Sequence, residues 1–308
     1  MDFHFHRHDR THFLIFLTMA LPVMVPPPTE SATSIVYFDD VSLHFGDTPG
    51  LDHVSFEMKA GETRVLFGAA GAGKTTLLKV ALGLLKPDSG HVYLFGQEIS
   101  NLKEQDLFDL RARIGILFQE GGLFDSLDIE ENVAYPLLNQ RVLQTAGATS
   151  DGSTKTVEER VLEALNFVEL GQTLEKFPSE LSGGMRRRVG IARAVVTLPA
   201  LLLYDSPTAG LDPITANTII ALLLKEREIR NTATVMVTHR YLDGHLMANF
   251  RYNSSSGKVE RAPNVAEESA TVKFFVMNEG RLVFDGSEAE LQAAQDPYVR
   301  KFLRHGSS

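Results

Sequence analysis

Residues 68–75 read Gly-Ala-Ala-Gly-Ala-Gly-Lys-Thr, which fits the spacing Gly-x-x-x-x-Gly-Lys-[Ser/Thr]. In that spacing the glycines let backbone N–H groups surround phosphates, the lysine reaches the outer phosphates and the hydroxyl holds magnesium. The residues concerned are Gly68, Gly73, Lys74 and Thr75. Ala69, Ala70 and Ala72 cost the loop little, because the phosphate contacts come from the backbone. Gly71 and Thr76 complete the set expected to bind nucleoside triphosphate. A strand-like run, Thr63 to Phe67, precedes the loop, and an apolar helix-forming run, Thr76 to Leu85, follows it. That order of strand, loop and helix weighs against a glycine-rich turn with no ligand.

A second chemical group stands at Leu201 to Asp205, where a short apolar strand ends in a carboxylate. Such a carboxylate can hold magnesium through water, opposite the hydroxyl of Thr75. A solvated aspartate at a strand end is the alternative, and the upstream phosphate loop favours the metal role. The string Leu181-Ser182-Gly183-Gly184-Met185 opens the basic helix expected over Gly183 to Val196. Its free N–H groups and dipole suit a γ-phosphate. His239 directly follows the strand expected at Val235 to Val237.

The elements that must position these groups follow from the pattern of apolar residues. Strands are expected at Ile35 to Phe45, Val54 to Lys59, Thr63 to Phe67, His91 to Phe95 and Ile114 to Phe118. Helices are expected at Glu104 to Arg111, Glu130 to Val142 with Pro136 inside it, Val157 to Val168 and Pro213 to Ile229. Thr145 to Thr156 is small and polar with no packing face, so a mobile loop is expected. Asn253 to Glu268 reads as a surface insertion, before a strand pair, Val272 to Met277 and Arg281 to Phe284, that turns on Asn278-Glu279-Gly280. No internal repeat is present.

At 308 residues and 44% hydrophobic content the chain can bury a sizeable core. Its net charge of -9 argues against nucleic acid or an anionic lipid surface as a direct partner, since both reward clustered Lys and Arg. Cysteine is absent, which excludes disulfides and thiolate metal sites and fits a reducing compartment. The first thirty-three residues form an expected extension outside the fold. Its apolar run, Phe13 to Val25, falls short of the ~20 residues that cross a bilayer, and initiation near Met19 or Met24 is expected over a targeting signal. His4, His6, His8 and His12 could bind a metal loosely, but a disordered tail is the favoured reading.

Taken in order, these motifs resemble the nucleotide-binding subunits of ABC transporters over nearly all of Ile35 to Phe284. The resemblance implies an α/β fold of the P-loop NTPase class, an ABC nucleotide-binding domain over 34–285. It would have a RecA-like core, an antiparallel β subdomain, a helical subdomain at about 120–196 and a C-terminal tail over 286–308. It implies ATP and magnesium as cofactors and a homodimer in which Ser182, Gly183 and Gly184 of one copy cap the γ-phosphate held by the other. Gln119 matches the glutamine that contacts magnesium and the attacking water, Asp212 in Ala209-Gly210-Leu211-Asp212 the D-loop aspartate, and His239 the switch histidine. Phe45 occupies the place of the aromatic that stacks on adenine, and could equally be core.

One position departs from the family. A glutamate normally follows the magnesium aspartate and polarises the attacking water, but Ser206 follows Asp205 here. A serine hydroxyl orients water and is a poor proton acceptor, so hydrolysis is expected to be slow or to rely on His239 and Gln119. A nucleotide-gated scaffold without turnover is the corresponding alternative. Phe118 to Leu127 and Glu131 to Leu137, with the tail Asp296 to Leu303, resemble the ATPase of Mla-type phospholipid transporters that work with MCE proteins. That resemblance implies transmembrane permease partners, an MCE-type lipid-binding protein and a place on the cytoplasmic face of the inner membrane. It also implies a tail packed on the partner ATPase. An exporter for another substrate is the alternative within the family. A soluble ABC protein acting on ribosomes or DNA would carry a second cassette or a basic arm, and neither is present.

Overall fold

The apolar runs Val65 to Phe67, Leu201 to Tyr204 and Val235 to Val237 build the centre of the molecule, because a strand covered on both faces has no position that water reaches. The computed structural model describes residues 34–118, 121–139, 155–263 and 271–304. It forms these runs into β3 (Thr63–Gly68), β7 (Leu201–Asp205) and β8 (Ala233–Val237). With β6 (Ile114–Leu117), β11 (Val272–Asn278) and β12 (Arg281–Gly286) they make one sheet in the order β12-β11-β3-β8-β7-β6. All neighbours in it are parallel except β12, which returns antiparallel to β11. The carboxyl ends of five strands therefore share one edge, where ligands of open α/β sheets bind.

Alternation along each strand divides the core into two. Val65, Phe67, Leu202 and Tyr204 point to one face, and Leu66, Leu201, Leu203 and Val235 to the other. The first face is covered by α3 (Ile129–Asn139), α4 (Val157–Phe167), α5 (Gly183–Val195) and α6 (Pro213–Arg230), through buried residues such as Val133, Leu165, Ile191 and Ile219. The second is covered by α1 (Lys74–Ala81), α2 (Glu104–Arg111) and an antiparallel sheet. That sheet comprises β1 (Ser34–Phe45), β2 (Thr48–Lys59), β4 (Ser89–Leu94) and β5 (Gln97–Glu98) in the order β2-β1-β4-β5. The mixed core, antiparallel β layer and helical layer are those that the motifs implied.

Differences from the expected elements have local causes. β2 starts at Thr48 rather than Val54, because Phe45 pairs with Thr48 across a two-residue turn in which Gly46 takes a φ of 61°. The segment expected to be a plain insertion contains a hairpin, β9 (Phe250–Asn253) with β10 (Lys258–Arg261). Arg227 of α6 anchors it, donating to the carbonyls of Met247 at 2.6 Å and Phe250 at 3.0 Å. The Asn278-Glu279-Gly280 turn forms as expected, with Glu279 and Gly280 both at positive φ (48° and 80°). Thr156, at the end of the expected mobile loop, caps α4: its hydroxyl accepts the Glu159 N–H, and the Glu159 carboxylate accepts the Thr156 N–H. Residues 145–154 of that loop and the N-terminal extension with its histidines lie outside the described residues.

After α7 (Tyr241–Asn249) and the hairpins, the described residues close with α8 (Glu288–Ala293) and α9 (Lys301–Arg304). Between them the Asp296 carboxylate accepts the N–H groups of Tyr298 at 2.7 Å and Val299 at 3.1 Å. This turn sends Val299, 1% exposed, into the first core and stacks the Phe302 ring on Phe67 at 5.8 Å. The tail thus packs on its own chain.

Candidate nucleotide-binding site

The phosphate loop leaves the end of β3 and enters α1 through Gly73, which caps the helix with a φ of 103° and no side-chain bond. The first N–H groups of α1 thus lack a capping side chain, which is what an anion requires of a helix N-terminus. Side chains are excluded from the two framing glycines. A Cβ on Gly73 would lie 2.5 Å from the Gly50 carbonyl oxygen, and one on Gly68 2.8 Å from that of Met277. Lys74 is 8% exposed and its Nζ donates to the carbonyls of Gly68 at 2.8 Å and Ala69 at 2.7 Å, so its charge is held inside the loop. Burial pulls its pKa down and the Asp205 carboxylate pulls it back up. Gly71 and Thr75 are exposed on the rim, beside Ala69 and Ala70. Phe45 is 53% exposed, and its ring leaves no room for a Cβ on Gly50, whose carbonyl abuts Gly73. That places the aromatic beside the loop rather than in the core.

A neighbour that sequence reasoning did not include completes the loop. The Tyr298 hydroxyl accepts the Ala69 N–H at 3.1 Å and donates to the Met277 carbonyl at 3.0 Å. In the parallel register Met277 pairs with Gly68, so one phenol ties the first turn of the loop to the adjacent strand. No local periodicity signals a partner 229 residues away.

Asp205 closes β7 and His239 follows β8, the two strands lying side by side. The Ser206 hydroxyl donates to Asp205 Oδ1 at 3.0 Å, and its backbone N–H donates to the Val237 carbonyl at 2.9 Å. Ser206 holds a left-handed φ of 53° and is 8% exposed. Its hydroxyl therefore donates its proton to the Asp205 carboxylate. His239 is exposed at the edge, yet partial desolvation and the nearby Lys74 charge hold its pKa below the ordinary 6.5, against a smaller pull from Asp205. The ring is thus neutral near pH 7 and can accept a hydrogen bond or a proton.

Ser182 caps α5, its hydroxyl accepting the Met185 N–H at 3.2 Å. Gly183 is exposed beside it, and a Cβ on Gly184 would strike the Thr215 methyl at 2.5 Å, so α6 requires that glycine. Met185 is partly buried against the first core. The arginines of this basic helix serve loops. Arg187 donates to the carbonyls of Ser206 and Ala209, Arg188 to that of Val168, and Arg193 to those of Gly121 and Gly122. The Asp212 carboxylate accepts the N–H groups of Ile214 and Thr215, both at 3.0 Å, and so caps α6. Gln119 lies outside the described residues.

Among the described residues no group of three His, Cys, Asp or Glu side chains gathers as a metal cage. Magnesium needs none, because it takes a few hard oxygen ligands and completes its shell with phosphate and water. The Thr75 hydroxyl and Asp205 carboxylate are hard oxygen donors that fit such an ion beside the loop, and it would neutralise charge on the outer phosphates.

A family model described as ABC transporter matches residues 51–209, more than half of the 308-residue chain. The methionine import ATP-binding protein MetN of Rhizobium etli is 38% identical over 214 residues, 70% of this chain and 56% of that protein. MetN of Carboxydothermus hydrogenoformans is 40% identical over 189 residues, 61% of this chain and 53% of that protein. The chain spans about half the length of the curated relatives it matches. These relatives carry methionine import in their names, not the phospholipid transport that the sequence resemblance implies. Among solved structures, the dimeric post-hydrolysis state of the ATP-binding cassette MJ0796 bound to ADP and Pi has a TM-score of 0.63 at 29% identity, covering 82% of this chain and 98% of that one. CbiO1 from Clostridium perfringens, part of an ABC transporter complex, has a TM-score of 0.66 at 26% identity, covering 88% and 96%. The glycine-framed phosphate loop, the carboxylate of β7, the capped helix α5 and a family match across half of its length agree: the chain belongs to the ABC transporter family and has the fold of its ATPase domain.

Proposed function

We propose that this chain binds and hydrolyses Mg-ATP as a homodimer and drives a membrane permease from the cytoplasmic face of the inner membrane. The observation that carries ATP binding is the phosphate loop, with its uncapped α1 N-terminus and the Lys74 ammonium held beside it. In this reading Gly68 to Thr76 hold the phosphates, Phe45 stacks on adenine, and Thr75, Asp205 and Gln119 hold magnesium. Gln119 and His239 orient the attacking water, and Ser206 holds Asp205 in place without taking a proton. Ser182, Gly183, Gly184 and Asp212 face the nucleotide of the second copy. No described helix is long and apolar enough to cross a membrane; in this reading the permease holds the chain there. A groove lined by Ile116, Phe118, Phe124, Tyr135 and Pro136 offers that permease an apolar seat.

For the cargo we propose phospholipid, moved with an MCE-type partner. What supports it is the resemblance of the Phe118 to Leu137 region and of the Asp296 to Leu303 tail, the latter packed against the phosphate-loop strand. In a homodimer the tail would also meet the partner ATPase. Methionine import is the second reading, supported by the names of the relatives. Co-purification of the native complex separates them. Phospholipid bound stoichiometrically supports the first; a complex free of lipid, with methionine uptake lost on deletion of this chain, supports the second.

A further inference from the structure

The loop after Asp205 and the turn carrying His239 converge on one buried carboxylate that no motif includes. Asp243, in the first turn of α7, is 1% exposed. Its Oδ2 accepts the Thr208 hydroxyl at 2.5 Å and the Thr238 hydroxyl at 2.7 Å. Both threonines are 2% exposed. Thr238 immediately precedes His239, and its oxygen also accepts the Arg240 N–H at 3.1 Å. Thr208 follows Asp205-Ser206-Pro207 and leads into Ala209-Gly210-Leu211-Asp212. The Arg240 guanidinium, 3.6 Å from Oδ1, is the cation near the carboxylate. Asp243 does not cap its helix, since the cap position is Arg240 and carries no side-chain bond.

Burying a carboxylate is expensive, and an apolar residue of similar size would stabilise a core more cheaply. The carboxylate's hydrogen bonds go to two loops of the site rather than to its own helix. We propose that Asp243 is a positioning residue for ATP hydrolysis, fixing His239 and the Ser206–Asp212 loop to one oxygen atom so that they move as a unit. This rests on the reading of Asp205 and His239 given above. The geometry explains how a group that touches neither nucleotide nor metal governs rate: misplacement of reacting groups by about 1 Å costs on the order of 10²-fold.

The test compares Asp243→Asn with Asp243→Leu in the full chain, each in the wild-type and Ser206→Glu backgrounds, by single-turnover hydrolysis of Mg-ATP and by equilibrium ATP binding. Asparagine keeps an oxygen able to accept both hydroxyls; leucine keeps the size and loses the acceptor. The expected result is a rate for Asp243→Asn within about threefold of its parent and a loss of about 10²-fold for Asp243→Leu, with ATP affinity unchanged in both. Should Asp243→Leu fail to fold, Thr208→Val and Thr238→Val remove the two donors singly, and each is expected to slow hydrolysis without weakening ATP binding. Full activity in Asp243→Leu, or in both threonine variants, beside an inactive His239→Ala overturns the inference alone. Full activity in His239→Ala overturns the reading beneath it. Equal losses in rate and affinity, or an absence of turnover in both backgrounds, overturn the positioning role as well.

Discussion

Replacing Ser206 with glutamate should raise the rate of hydrolysis. In the structure the serine proton is donated to Asp205 at 3.0 Å, so the hydroxyl is a donor where the reaction needs an acceptor. A positioned general base contributes about 10² to 10⁴ in rate, which is about 3 to 5 kcal/mol at 1.36 kcal/mol per tenfold. The backbone does not oppose the change, because residue 206 already takes a φ of 53° with a side chain present. The opposing term is electrostatic. A second carboxylate ~5 Å from Asp205 costs about 3 kcal/mol at an effective dielectric constant of ~20, and magnesium with Lys74 offsets it when nucleotide is bound. Two outcomes are therefore expected together. Phosphate release in a single turnover, with enzyme in excess over ATP, should accelerate at least 10²-fold, and stabilisation by Mg-ATP should exceed that of the wild type. Equal rates for Ser206→Glu and wild type, at equal ATP affinity, would refute the reading that the chain lacks a general base at position 206.

Gly73→Ala should abolish ATP binding measured with a fluorescent analogue, since its Cβ would meet the Gly50 carbonyl oxygen at 2.5 Å at a φ of 103°; retained affinity would show that the loop tolerates a side chain. Tyr298→Phe removes a hydroxyl that both accepts and donates, a loss of about 1 kcal/mol, so calorimetry should show a melting temperature lower by about 2 to 4 °C. A histidine held below its ordinary pKa contributes stability that is fully present above about pH 6.5 and is lost as pH falls through its unfolded value. Denaturant titrations between pH 7.5 and 5 should therefore show a decline that His239→Gln reduces, and parallel curves would contradict the assignment.

Much of the centre was legible because burial on both faces leaves a local record. β3, β7 and β8 carry the apolar runs Val65 to Phe67, Leu201 to Tyr204 and Val235 to Val237, and the groups after them, Gly68 to Thr75, Asp205 and His239, stand out as candidates for chemistry. What escaped was carried by bonds between distant residues. Nothing around Tyr298 points to Ala69, nothing around Asp243 points to Thr208, and the arginines of α5 look like a solvated basic face until their carbonyl partners are known. The β9–β10 hairpin was hidden for another reason: Asn253 to Gly257 is a polar turn, and its composition masked the short strands on either side.

The phenol of Tyr298 also sets an order in time. Residue 69 leaves the ribosome long before residue 298, so the cradle stays unbraced until that tyrosine has emerged and folded back onto it. A product cut short before that tyrosine would keep every phosphate-binding residue and lack the fastener, so truncated copies should compete poorly with finished ones for nucleotide.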